Sequence, residues 1–167
     1  MQDILTCAMG LDVHRDIIVA CLVKGAVDAE PEAETRTFST LIPEMQKLRD
    51  WVIESECRNI AMESTGIYWQ PIYEMLESCF DGEISILVVN ARHMKNVPGR
   101  KTDMKDAQWI ATLLRAGLLK GSFIPDKAFR ELRHLTRYRK SVVHDITAQK
   151  NRIDKFLQSS GFRFTAF

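Results

Sequence analysis

Two apolar, β-branched runs separated by only three residues constrain this chain more than any other feature. Residues 4–12 (ILTCAMGLD) and 16–24 (DIIVACLVK) read as strands, and Val13, His14 and Arg15 are all that connects them. A parallel pair needs a crossover of about a dozen residues or more. The two runs must therefore form an antiparallel hairpin. The acidic stretch 28–34 (DAEPEAE) then reads as a surface loop, and residues 35–38 as a third strand.

Downstream the periodicity changes. Pro43 stands near the start of a helical pattern that puts Met45, Leu48, Trp51 and Val52 on one face. A short strand over 59–62 delivers Glu63 at its carboxyl end. After Ser64, Thr65 and Gly66 a second amphipathic helix is predicted over about 68–79. Residues 84–89 (ISILVV) are continuously apolar, the mark of a strand covered on both faces. A basic loop over 90–102 leads into a helix over about 103–116, stopped by Gly117. Parallel strands joined by helices cross over right-handed, which stacks the later strands beside the hairpin. The order predicts an α/β fold, an RNase H-like mixed five-stranded sheet with flanking helices, over residues 1–124.

Beyond Pro125 a different pattern begins. Leu132, Leu135, Arg139, Val142, Ile146, Gln149, Ile153 and Phe156 follow alternating spacings of three and four, a heptad seam broken by two polar positions. The segment 125–167 is thus expected to hold a long coiled-coil-like helix over about 128–157, roughly 45 Å at 1.5 Å per residue. Such a helix pairs with another copy as a dimer arm, or packs back on its own domain. It is also basic. Residues 127–163 carry ten Lys/Arg against three acids, so the net charge of +1 conceals an acidic body and a basic tail. That asymmetry points to a polyanionic partner.

Other classes fall away. No apolar run approaches a membrane span and no signal-peptide pattern opens the chain, so a cytoplasmic, membrane-free protein is the default. Cys7, Cys21, Cys57 and Cys79 form no CxxC pair, which leaves zinc ribbons and redox motifs unsupported. Cys7 and Cys21, within apolar runs, read as small hydrophobes.

Four acids carry the functional expectation. Asp12 ends the first strand, Glu63 ends the fourth, and Asp103 and Asp106 lie three apart at a helix start. Each has an ordinary explanation alone: a turn aspartate, a carboxylate satisfying backbone amides, an N-cap, or a first-turn acid favouring the helix dipole. In an RNase H-like sheet, however, the first and fourth strands are neighbours and the final helix crosses their ends. All four acids then meet. Carboxylates that close repel one another unless a cation intervenes, and oxygen-only ligands suit Mg²⁺ or Mn²⁺.

In context these residues resemble a known family. GLDVHRD (10–16), MESTGIYW (62–69), NARHMKNVPGRKTDMKDAQWIATLLRAGLL (90–119) and ELRHLTRYRKSVVHDITAQKNRI (131–153) look like the DEDD transposases of insertion sequence 110. The resemblance implies a RuvC-like catalytic domain with Asp12, Glu63, Asp103 and Asp106 as its tetrad, acting with Mg²⁺ or Mn²⁺ in DNA transposition. It also implies DNA and a structured guide RNA as partners, and a further domain bearing a serine nucleophile. No such domain follows residue 167 here, so the fragment alone is expected to be inactive.

Lys95, Arg100, Lys101 and Lys105 flank the acids and could hold phosphates, as could Arg133, Arg137 and Lys140 on the long helix; each could equally be a solvated charge. Trp69, Ile72, Tyr73 and Leu76 read as a helix core face. His14, near Asp12, is a minor ligand candidate. Two other functions share parts of this pattern: a self-sufficient RuvC-like Holliday-junction nuclease, and a non-catalytic module that binds nucleic acid or dimerises while the acids merely cap and solvate.

Overall fold

A computed structural model describes residues 4–64, 66–90 and 106–163, which divide into two compact units, residues 1–123 and 124–167. The hairpin forms as the short link requires. Strands β1 (Cys7–Val13) and β2 (Ile17–Lys24) pair antiparallel from Cys7 with Lys24 to Val13 with Ile18, and His14 N donates to the Ile17 carbonyl at 2.9 Å.

The third strand is longer than its sequence indicates. β3 (Glu32–Ser39) pairs with β2 along its whole length, so residues 32–34 are strand rather than loop. The reason lies in β2, whose outer edge offers hydrogen bonds as far as Lys24. Glu32 and Glu34 stay exposed because β3 is an edge strand, where charge discourages pairing with a further chain.

Helix α1 (Ile42–Glu54) starts with its proline in the first turn and buries Met45, Leu48, Trp51 and Val52, as the periodicity predicts. Trp51 packs against Phe38 of β3, and the Arg36 guanidinium lies 4.4 Å above the indole. Strand β4 (Asn59–Glu63), helix α2 (Trp69–Phe80), strand β5 (Ser85–Val89) and helix α3 (Asp106–Arg115) follow. In α2, Ile72 and Leu76 are buried, whereas Trp69 and Tyr73 are half-buried and meet edge to face.

The sheet order is β3-β2-β1-β4-β5, with β1, β4 and β5 parallel and the other pairings antiparallel. This is the RNase H-like order. β5 is not covered along its full length. Val88 and Val89 are buried but Ile86 and Leu87 only partly so, since β5 is the other edge strand.

Helix α3 lies across the middle of the sheet. Ile110 and Leu114 pack with Ala8 and Ala61, while Ala107 and Ala111 pack with Cys21 and Val23. Small residues on the strands permit this closeness, and Gly10 is the tightest point. A Cβ there would lie 2.5 Å from the Ala111 amide nitrogen and closer still to the Ala107 carbonyl oxygen. Both obstacles are helix backbone, which cannot rotate away. Gly10→Ala is expected to destabilise the fold by about 3 kcal/mol, at the upper end of overpacking effects, read as a lowered urea midpoint.

At its carboxyl end α3 is clamped by Arg115, which is 1% exposed. The guanidinium donates to the carbonyls of Leu5 (2.9 Å), Gly25 (3.1 Å) and Ala26 (2.5 Å), and the Arg115 carbonyl accepts from Ile4 N and Leu5 N.

The second unit is built on α4 (Lys127–Ser159), 33 residues long. Asp126 caps it, accepting from Phe129 N at 3.0 Å. Leu132, Leu135, Val142, Ile146, Ile153 and Phe156 of the heptad seam are exposed. No helix among the described residues is long and apolar enough to cross a membrane.

Candidate functional site

The strand register brings two of the four acids together. Leu11 and Met62 are the last paired residues of parallel strands β1 and β4, and Asp12 and Glu63 come next on each. Side chains alternate along a strand. Ala8, Gly10 and Asp12 thus share one face of β1, and Ala61 and Glu63 share the same face of β4. That face carries α3, since Ala8, Gly10 and Ala61 all meet it.

The helix direction brings the third acid to the same end. The last residue of α3, Arg115, binds residues 4 and 5 ahead of β1, while Ala107 sits over Gly10. α3 therefore runs antiparallel to β1 and begins at the sheet end where Asp12 and Glu63 stand. Asp106 is its first described residue and is exposed. An acid there favours the helix dipole whatever else it does.

Asp12 is largely buried, its side chain 16% exposed, and its Oδ2 lies 3.2 Å from His14 Nε2. The hairpin turn that presents His14 is held by Thr40, whose hydroxyl donates to the Arg15 carbonyl at 2.9 Å. Arg15 itself pairs with Asp16 in solvent.

The remaining candidates divide into two groups. Asp103, Lys95, Arg100, Lys101 and Lys105 lie outside the described residues. Arg133, Arg137 and Lys140 are exposed on α4. At about 100° per residue they share one helix face, roughly opposite the heptad seam.

Among the described residues no group of three or more His, Cys, Asp or Glu is gathered closely enough to hold a metal ion. Asp12, Glu63 and Asp106, which stand at this sheet end, offer carboxylate oxygens, hard ligands of the type that Mg²⁺ and Mn²⁺ take, so their donor chemistry fits such an ion. One feature went unnoticed in the sequence. Gly10, two residues before Asp12 inside a strand, signals close backbone approach. The His14 contact to Asp12 could be anticipated from its separation of two across the strand end.

A family profile of DEDD transposases of insertion sequence 110, described as a transposase, matches residues 9–161. No curated protein matches significantly. Among solved structures, one of Thermus thermophilus RuvC is similar at 12% identity and a TM-score of 0.48, covering 70% of this chain and 99% of that one. T. thermophilus RuvC in complex with a Holliday junction substrate is similar at 11% identity and a TM-score of 0.48, covering 71% and 100%.

Proposed function

The chain belongs to the DEDD transposases of insertion sequence 110, and from that premise we propose that its α/β unit is a metal-dependent domain for cutting and joining DNA strands. The observation that carries this reading is the convergence at one sheet end. Asp12 and Glu63 stand on neighbouring strands and face α3, which begins at that end with Asp106. Asp103, three residues earlier, completes the proposed set.

In this reading Asp12, Glu63, Asp103 and Asp106 hold Mg²⁺ or Mn²⁺, which would supply Lewis-acid stabilisation of charge on the scissile phosphate. His14 orients Asp12 through their 3.2 Å contact. Lys95, Arg100, Lys101 and Lys105 bind phosphates beside the acids. A structured guide RNA and a serine-bearing domain, both implied by the family, select the DNA and provide the nucleophile. The acids then form one half of an active centre.

The two faces of α4 divide two tasks. Arg133, Arg137 and Lys140 hold nucleic-acid phosphates, while the exposed seam pairs with a second copy of the chain. Leu135→Asp combined with Ile146→Asp is expected to lower the sedimentation-derived mass from dimer to monomer without changing the α/β unit. An unchanged mass would remove the pairing.

Crystals soaked in Mn²⁺ test the metal site directly. Anomalous density among the four carboxylates is the expected result, and well-separated carboxylates without density would overturn it. Cleavage of a four-way DNA junction by this chain alone would instead identify a self-sufficient nuclease.

A further inference from the structure

At the sheet end opposite the carboxylates, two thiols meet that are fifty residues apart in the sequence. Cys7 opens β1 and is partly exposed; Cys57 lies just before β4 and is buried. Met9 pairs with Ile60, and the same parallel register carried back brings Cys7 level with Arg58, next to Cys57. Asn59 ties this corner together. Its side-chain amide donates to the Cys7 carbonyl at 3.3 Å, and its own carbonyl accepts from the Cys57 thiol at 3.3 Å. The Cys57 thiol thus sits close enough to the Cys7 sulfur to act on its acidity.

Two cations border the pair. Lys24, at the end of β2, donates to the Ser55 carbonyl at 3.4 Å, just ahead of Cys57. Arg115 is held on the Leu5 carbonyl, two residues before Cys7. The hydrogen bond from Cys57, supported by Lys24 and Arg115 and opposed by burial, lowers the Cys7 pKa to about 7. Cys57 moves the other way, because it is the donor to Cys7 and is buried. A partly exposed sulfur in a positive field is the setting of a reactive thiolate rather than a packing residue.

We propose that Cys7 and Cys57 form a peroxide-oxidised dithiol, with Cys7 as the attacking sulfur and Cys57 as the resolving one. The Cys7 thiolate attacks one oxygen of hydrogen peroxide, the O–O bond breaks, and the departing hydroxide takes a proton to become water. Cys7 is then a sulfenic acid. The Cys57 sulfur gives up its proton and displaces hydroxide from Cys7, forming the disulfide and a second water. Overall the dithiol loses two electrons and two protons, and peroxide is reduced to two waters. The bond ties together the central strands whose far ends carry Asp12 and Glu63.

The test uses the full chain, oxidised with a small excess of hydrogen peroxide and digested without reduction. A linked peptide containing Cys7 and Cys57, reversed by dithiothreitol, is expected. Cys57→Ala should leave Cys7 as a sulfenic acid that dimedone traps. Iodoacetamide labelling of Cys7 should have its pH midpoint near 7, and Lys24→Gln should shift that midpoint upward. Oxidation of Cys79 while Cys7 and Cys57 both remain thiols would overturn the proposal. So would a Cys7 labelling profile that Lys24→Gln leaves in place.

Discussion

Arg115→Ala should unfold the α/β unit at a much lower urea concentration, with a loss of about 4 kcal/mol. The guanidinium serves three carbonyls, those of Leu5, Gly25 and Ala26, from a side chain almost sealed from solvent. Hydrogen bonds to a charged donor contribute about 1.5–3 kcal/mol each, and stranding their acceptors adds desolvation. Total stability for a domain of this kind is about 5–15 kcal/mol, so the variant approaches the limit of folding. Arg115→Lys should recover only part of the loss. An ammonium is a point donor and cannot reproduce the planar fork that reaches Leu5 on one side and the Gly25–Ala26 turn on the other. An unaltered slope of the unfolding transition with a lowered midpoint would show that the native fold is retained.

That clamp marks the boundary of what the sequence makes legible. The hairpin follows from a three-residue link, because chain geometry leaves no alternative. The strand ending at Glu63 and the buried face of α1 follow from local periodicity, since tertiary packing only ratifies what the pattern imposes. Arg115 carries no such signature. Its partners stand 89 to 110 residues away, and a basic residue in the last turn of a helix ordinarily faces solvent. The extent of β3 was hidden for a related reason. Glu32 and Glu34 argue for a loop by composition, and only the free edge of β2 makes them strand. Ile86 and Leu87 illustrate the reverse case, an apolar run whose partial exposure is set by its edge position. Within the candidate site, the approach of Asp12 and Glu63 follows once the topology is known. The antiparallel course of α3 does not, because it depends on contacts at Gly10 and Arg115.

Asp12→Asn tests the functional half of the argument. The substitution keeps the size of the side chain and an oxygen that accepts from His14 Nε2, and removes only the negative charge. If Asp12 holds a divalent ion, the loss of a ligand removes several kcal/mol of transition-state stabilisation, so DNA strand cleavage by a longer protein that also carries the serine domain should fall by about a thousandfold. Stability should change by no more than about 0.5 kcal/mol. The complementary variant is Asp103→Ala, which in that longer protein should abolish recombination while leaving folding largely intact. Unfolding of Asp103→Ala would mark Asp103 as a helix cap, the ordinary role of an acid at a helix start. His14→Ala should be milder than either, because an orienting partner typically contributes tenfold to a hundredfold. The order of the three effects matters more than any one of them. A site built only to solvate the sheet end predicts changes in stability that track burial, with Asp12 foremost, and no relation to Mg²⁺ concentration. Metal ligation predicts a rise in the Mg²⁺ concentration needed for half-maximal cleavage in His14→Ala, at unchanged stability. Titrating Mg²⁺ against cleavage by the longer protein carrying that variant separates the two.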